Sequence, residues 1–530
     1  MNTRCNLRTW LLGTAATALG VVSWPSLAQV THTHVSEGAL AGKTQGEIAA
    51  FLGVPFAAPP TGDDRWKAPR PAAKWEGERQ ADHFAASCQQ ALTPQGFGPW
   101  TPEYVVQGDV SEDCLYLNIW TPAKSSAERL PVLFWIYGGG FTSGSGSVPI
   151  YDGAALAAKG IIVVNVNYRV GVYGFLAHPE LSAENPAHAS GNYGLLDQVA
   201  ALRWVRINIA AFGGDPARVT IAGQSAGAAA VHHLIASPLA AGLFARAIAQ
   251  SGSGMGLRVP NRAEAESVGQ QLSSADGKTL NLAALRALST RQLDERVANL
   301  SSAGAGPRFG PIVDGSFVRN AESVGKNEND TPILTGMTAN EMTGLNPAYG
   351  KTTVASFTAQ VTSTYGALAP EVMSQYPARD DEQAWTSLDA LARDRGLASM
   401  YFWARERART SRRPIYAYLW THPEPGPDAE RYGAFHSSEI PYVFDTLGTS
   451  TRPFEKADRA LAEELGGYWV NFVKEGDPNG KRLTAWPKFT DDQKQILELG
   501  DRTRDRAILP ARQIDLFERY TKSGGTLGLF

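Results

Sequence analysis

Two runs of β-branched and aromatic residues, "PVLFWIY" at 131–137 and "IIVVNVNY" at 161–168, restrict this chain more than any other feature. Each is apolar nearly throughout and bounded by Gly or Pro, as strands buried on both faces of a sheet should be. Between Gly194 and Phe212, the residues Leu195, Val199, Leu202, Val205 and Ile209 recur at spacings of three and four, the period of a helix with one apolar face. "RVTIAG" (218–223) then reads as the next strand and "AGAAAVHHLIAS" (226–237) as the next helix. "TPILTG" (331–336) and "PIYAYLW" (414–420) read as two later strands, with helical and loop-rich sequence between them. This alternation predicts an α/β protein: a mostly parallel, doubly wound central sheet with helices on both faces and large helical and loop insertions. No internal repeat or low-complexity linker divides the 530 residues, so a single catalytic domain over 29–530 is expected.

The first 28 residues stand apart. Arg4 and Arg8 form a positive start, an apolar run extends from Trp10 to Val22, and Ser26-Leu27-Ala28 supplies small residues for cleavage, as in a secretory signal peptide. The run is shorter than the ~18–20 residues needed to span a bilayer, so no stable membrane insertion is expected. The reading is a secreted or periplasmic protein cut after Ala28. Cys5 would leave with the signal, and the remaining pair, Cys88 and Cys114, should form one disulfide in an oxidising compartment. The charge balance, 49 basic against 52 acidic residues with no long run of one sign, gives no reason to expect a nucleic-acid partner.

The chemistry is concentrated in "GQSAG" (223–227), which sits between the predicted strand and the predicted helix. In that setting GxSxG forms a nucleophile elbow: Gly223 and Gly227 permit a tight turn that lifts the Ser225 hydroxyl off the end of the sheet. A serine hydroxyl is a poor nucleophile at neutral pH and needs a histidine base oriented by a carboxylate. Where such an elbow operates, the chain order is serine, acid, histidine. Glu341 in "TANEMTG" follows "TPILTG" by five residues, and Asp314 in "PIVDG" is its rival. The base should follow the last strand. His436 in "GAFHSSEIPYVF" and His422 in "WTHPEP" both come after "PIYAYLW", and spacing does not choose between them. "IYGGGF" (136–141) follows the strand "PVLFWIY", so the N–H groups of Gly139 and Gly140, with that of Ala226, are the candidate donors of an oxyanion hole.

Taken together these residues resemble the type B carboxylesterase and cholinesterase family of α/β-hydrolases. Matching segments run through most of the mature chain. They include "FLGVPFAAPPTGDDRW" (51–66), "SEDCLYLNIW" (111–120), "WIYGGGF" (135–141), "GNYGLLDQVAALRWV" (191–205), "GQSAGA" (223–228), "HSSEIPYVF" (436–444) and "WVNFVKEGDPNG" (469–480). The resemblance implies the α/β-hydrolase fold and a serine carboxylesterase acting on a small-molecule ester through Ser225, Glu341 and His436, with no cofactor and no metal. A detoxifying or degradative esterase is one form of it, and a monomer is the favoured state. It also matches Cys88 and Cys114 to the family's first disulfide, and Arg65 with Glu112 and Arg169 with Asp197 to buried structural ion pairs. The alternative is a catalytically silent binding or adhesion protein of the same family, against which the retained triad and glycines stand.

Three positions depart from the family pattern. Gln224 is neutral where most relatives carry glutamate, Tyr137 stands where carboxylesterases commonly have histidine, and Met342 replaces the glycine usual after the acid. Two further signals carry no function in this reading. "GALAGKT" (38–44) is one residue short of a phosphate loop and is expected to be a hairpin turn; His32 with His34, and His232 with His233, lack the partner ligands of a tetrahedral metal site. Segments around 95–100 and 308–315 border a substrate pocket that the sequence alone does not place.

Overall fold

The computed structural model describes residues 1–2, 29–252, 259–275, 277–302, 306–320, 328–346 and 350–528. Residues 3–28, which include nearly all of the segment read as a signal peptide together with Cys5, lie outside the described residues.

The architecture is built on a mixed sheet of eleven strands. In chain order these are β1 (Lys43–Gln45), β2 (Ile48–Pro55), β3 (Tyr116–Thr121), β4 (Leu130–Ile136), β5 (Ile162–Val166), β6 (Gly214–Gln224), β7 (Arg246–Gln250), β8 (Ile333–Thr338), β9 (Ile415–Trp420), β10 (Gln495–Leu499) and β11 (Arg504–Ala507). Across the sheet they run β11-β10-β9-β8-β7-β6-β4-β5-β3-β2-β1. Every pairing from β10 through β5 is parallel, and antiparallel strands close both edges. β5 is buried at every position and β4 at all but its first, which is why their sequences show no alternation. The buried apolar side chains form one continuous cluster around this sheet.

The strands and helices expected from the sequence are present, with shifted ends. The amphipathic stretch after Gly194 is helix α1 (Tyr193–Asn208), which tightens into a 3₁₀ turn over Ile209–Phe212 before Gly213 ends it at φ 82°. The helix after "GQSAG" is α2 (Ala226–Ala236). Two expectations are corrected. "PIYAYLW" is not the last strand, because β10 and β11 follow it. They are short; β10, "QILEL", is interrupted by Glu498, and β11, "RDRA", is charged at its first three positions and mostly exposed, as an edge strand should be, so neither carries an unbroken buried-strand pattern. "GALA" (38–41) is itself a strand, paired antiparallel with His32–Val35, and the turn falls at Ser36–Glu37.

The insertions are helical: Arg262–Ser273, Leu282–Arg286 and Thr290–Ser302 lie between β7 and β8, and Val354–Tyr365, Ala369–Gln375 and Asp381–Thr410 lie between β8 and β9. Among the described residues no helix is long and apolar enough to cross a membrane. Arg169 and Asp197 form a fully buried bidentate pair at 2.8 and 2.9 Å, and Arg65 engages Glu112 while its other amino group donates to carbonyls at 285–288. Cys88 and Cys114 form a disulfide that closes a loop with a sequence separation of 26. In the chain-entropy account such a loop contributes roughly 3–4 kcal/mol. The paired Cys88→Ser, Cys114→Ser variant should therefore lose roughly 3 kcal/mol in chemical denaturation, and a loss below about 1 kcal/mol would remove that role.

Candidate active site

Ser225 sits in the turn between β6 and α2 at φ 58° and ψ −123°, a conformation that residues with side chains rarely adopt. Its glycines make the turn possible. A Cβ on Gly227 would come within 2.0 Å of the Ile136 carbonyl oxygen, and one on Gly223 within 2.5 Å of the Gly227 backbone. Strand, turn and helix therefore pass at backbone contact. The Ser225 N–H donates to the Gln250 carbonyl at 2.9 Å, which ties the turn to β7.

Glu341 lies three residues beyond the end of β8, and His436 lies on the loop after β9. Both are buried, and Glu341 Oε2 is hydrogen-bonded to His436 Nδ1. The other carboxylate oxygen accepts the Thr338 N–H at 2.9 Å. Asn340 links the two loops: its N–H donates to the Ala434 carbonyl at 3.0 Å, and its Oδ1 accepts the Ala434 N–H at 2.9 Å. Trp100 Nε1 donates to the His436 carbonyl at 3.1 Å, which holds the histidine backbone. Gln224 Nε2 stands 3.1 Å from His436 Nε2. In that orientation the amide donates to an unprotonated Nε2, which leaves the ring proton on Nδ1, facing Glu341.

Gly139 and Gly140 take φ 105° and 62° in the loop after β4, where the Gly139 carbonyl accepts the N–H groups of Thr142 and Ser143 at 3.0 and 3.1 Å. The N–H groups of Gly139, Gly140 and Ala226 donate to no other described residue. All three residues border one cavity of about 690 Å³, together with Ser225, Gln224 and His436. That volume suits a drug-sized ligand. The two segments left open by the sequence both reach it, through Phe97 and Trp100 on one side and Arg308 and Phe309 on the other.

The rivals are engaged elsewhere. Asp314 Oδ1 accepts the N–H groups of Ser316 and Val318 at 3.0 and 2.9 Å and stabilises its own turn. His422 is held at 2.9 Å by Asp458 and at 2.6 Å by Asp501, one on each ring nitrogen. Of the departures, Tyr137 is structural: it stacks on Tyr168 at 4.3 Å, its hydroxyl donates to the Tyr168 carbonyl at 2.8 Å, and the Tyr168 hydroxyl donates back to the Tyr137 carbonyl at 2.9 Å. Met342 lines a separate small cavity with Val361, Tyr365 and Leu388. His32 pairs with Glu78, and His232 packs its ring edge-on against Trp403. His233, read from the sequence only as half of a weak metal pair, borders the main cavity. The sequence signal was available in the spacing of Ala226, Ala229 and His233, one helical stripe that starts beside the serine.

The sequence profile of the carboxylesterase family matches residues 29–517. The chain is 37% identical over 508 residues to a fumonisin B1 esterase of Sphingopyxis macrogoltabida, covering 93% of this chain and 90% of that protein. It is 33% identical over 493 residues to a cholinesterase of Mus musculus, covering 86% and 80% respectively. The chain belongs to the carboxylesterase family and is a serine carboxylesterase of the α/β-hydrolase fold.

Behind the site, Gln250 Nε2 donates to Glu439 Oε1 at 2.9 Å, and Trp469 Nε1 donates to Gln250 Oε1 at 3.0 Å. Burial pushes the Glu439 carboxyl up to about 7 from an ordinary value of 4.5. Between those values the folded chain keeps a proton that the unfolded chain releases, so this group's stabilisation is full below pH 4.5 and lost as pH rises through 7. Glu439→Gln cannot titrate. Its denaturation midpoint should fall less than the wild-type midpoint between pH 5 and pH 8, and parallel midpoints would contradict the assignment.

Proposed function

We propose that Ser225 is the nucleophile of this esterase, that His436 is its general base and that Glu341 orients and stabilises the imidazole. Gly139, Gly140 and Ala226 supply the oxyanion donors. The single observation that carries this reading is the convergence, on one cavity, of a strained serine, a histidine bound to a buried carboxylate, and three backbone N–H groups with no acceptor among the described residues. In the first step His436 Nε2 takes the Ser225 proton as Oγ attacks the ester carbonyl, and the negative oxygen that forms is held by the three N–H groups. The proton passes to the departing alcohol, which leaves an acyl-serine. Water, deprotonated by the same imidazole, then releases the acid. For the attack to proceed, Ser225 must take over the Nε2 position that the Gln224 amide occupies, so Gln224 is a natural point of control.

The substrate class follows from the lining. Leu92, Phe97 and Leu345 are exposed at the cavity, its walls are largely apolar, and no Asp or Glu stands among the described lining residues. That composition favours a bulky ester with apolar parts, in keeping with a degradative esterase. We further read residues 29–530 as one catalytic domain that acts as a monomer, exported by the segment 1–28 to the periplasm or the medium.

Ser225→Ala should lose at least about 10³-fold in kcat/KM on a short-chain nitrophenyl ester, while His422→Ala and Asp314→Asn stay within about tenfold of wild type when folded. Equal turnover by Ser225→Ala and wild type would remove the mechanism. Gln224→Glu places a negative charge 3.1 Å from the base and should move the acid limb of the kcat/KM profile to higher pH. An unmoved limb would mean that position 224 does not tune His436.

A further inference from the structure

The cavity does not stop at the serine. Ala226, Ala229 and His233 all border it, and they share one face of α2. Ala226 and Ala229 each keep 7% exposure, whereas Ala228 and Ala230 have none. Two alanines thus leave a channel along the helix, and a histidine stands at its far end. The His233 side chain is buried, yet its Nδ1 has no hydrogen-bond partner among the described residues. Ser251, at the end of β7 with φ 55°, also borders the cavity, is buried, and has a hydroxyl with no partner. Its backbone is fixed, with the N–H donating to the Gly336 carbonyl at 2.8 Å. A buried polar group is ordinarily paired, and here two residues that border the same cavity each carry a buried polar atom without a partner among the described residues.

We propose that His233 and Ser251 form a polar subsite for the acyl part of the ester, which recognises a neutral oxygen substituent, a hydroxyl, carried some way along the acyl chain. This rests on Ser225 being the nucleophile. Burial pushes the His233 imidazole down to about 4, so at pH 7 it is uncharged. A neutral imidazole and a serine hydroxyl can each donate or accept, and a substrate hydroxyl complements both whichever tautomer the ring holds. A carboxylate would enter the same place without a fixed counter-charge, at a large desolvation cost. Arg308, the lining residue that carries a full positive charge, is exposed rather than buried beside them. His233 is eight residues beyond Ser225, and helical side chains lean toward the helix N-terminus, so the ring is reached by a chain of about five to eight carbons.

The test compares nitrophenyl esters of ω-hydroxyalkanoic acids of six to ten carbons, too long for ready lactone closure, with the matched n-alkanoates. The readout is the ratio of kcat/KM within each pair, in which effects common to both substrates cancel. The wild-type ratio should pass through a maximum at one chain length, and His233→Leu should lower that maximum about 5- to 10-fold, the size of one or two hydrogen bonds. His233→Asn, which keeps a hydrogen-bonding group, should restore part of it. Ser251→Ala should lower it independently, and it carries the test if the leucine variant does not fold. An unchanged ratio in both His233→Leu and Ser251→Ala overturns the subsite. A wild-type preference for ω-carboxy over ω-hydroxy esters overturns the choice of a neutral group. Inactivity of the wild type on every ester, or full activity of Ser225→Ala, would instead fail the reading on which the subsite rests.

Discussion

The approach of the Gly227 backbone to the Ile136 carbonyl is the contact on which the rest of the site depends. A side-chain carbon at position 227 would overlap that oxygen at 2.0 Å, so α2 can start over the end of β4 only because no side chain is there. The approach sets two things at once. It brings the N-terminus of α2, with its unpaired N–H groups, next to the glycine loop that follows β4, so N–H groups from two elements border one cavity. It also forces Ser225 into its left-handed turn, from which the hydroxyl stands clear of the sheet. Glycine has more conformational freedom to lose on folding than other residues, about 0.5–1 kcal/mol each, and the tightly packed sheet around the turn offsets that loss.

The parallel order of the sheet then determines what can reach the serine. Gly223 is in register with Ile136, Gln224 with Gln250, Gln250 with Gly336, and Gly336 with Tyr418, so β4, β6, β7, β8 and β9 end along one edge. Neighbouring strands are about 4.8 Å apart, which puts the loops after β8 and β9 within side-chain reach of the elbow. The polar groups behind that edge are paired in series: Trp469 with Gln250, Gln250 with Glu439, and Tyr137 with Tyr168. In a low-dielectric interior each needs its partner, so the network fixes the orientation of the elements as much as it stabilises them. Arg169 and Asp197 act similarly; the carboxylate also accepts the Arg169 N–H at 3.0 Å, so the ion pair fastens the chain just after β5 to α1.

Much of this was legible from residues in order. Buried strands showed as unbroken apolar runs, α1 as a period of three and four, and the elbow as a serine between two glycines at a strand-to-helix junction. The last two strands, β10 and the edge strand β11, were not, because a five-residue run interrupted by Glu498 and a mostly charged, exposed run carry no pattern that separates them from loops. Spacing also left His422 level with His436 and Asp314 level with Glu341. His422 is removed from contention by Asp458 and Asp501, partners separated from it by 36 and 79 residues. Asp314 is removed by amide groups of its own turn, a local bond that an aspartate followed by glycine could have suggested.

What the sequence by itself determined is therefore the set of local conformations: where backbone is buried, where it turns tightly, and which serine stands on a turn. Those follow from side-chain size, branching and periodicity, which act over a few residues. Only the tertiary structure decided which distant groups meet. His436 is 95 residues from Glu341 and 212 from Gln224, and their contacts arise from strand order, which no local preference encodes. The same holds for His233. Its place on the stripe of Ala226 and Ala229 is written in the spacing, but that the stripe faces a cavity was decided by what the neighbouring elements left unfilled.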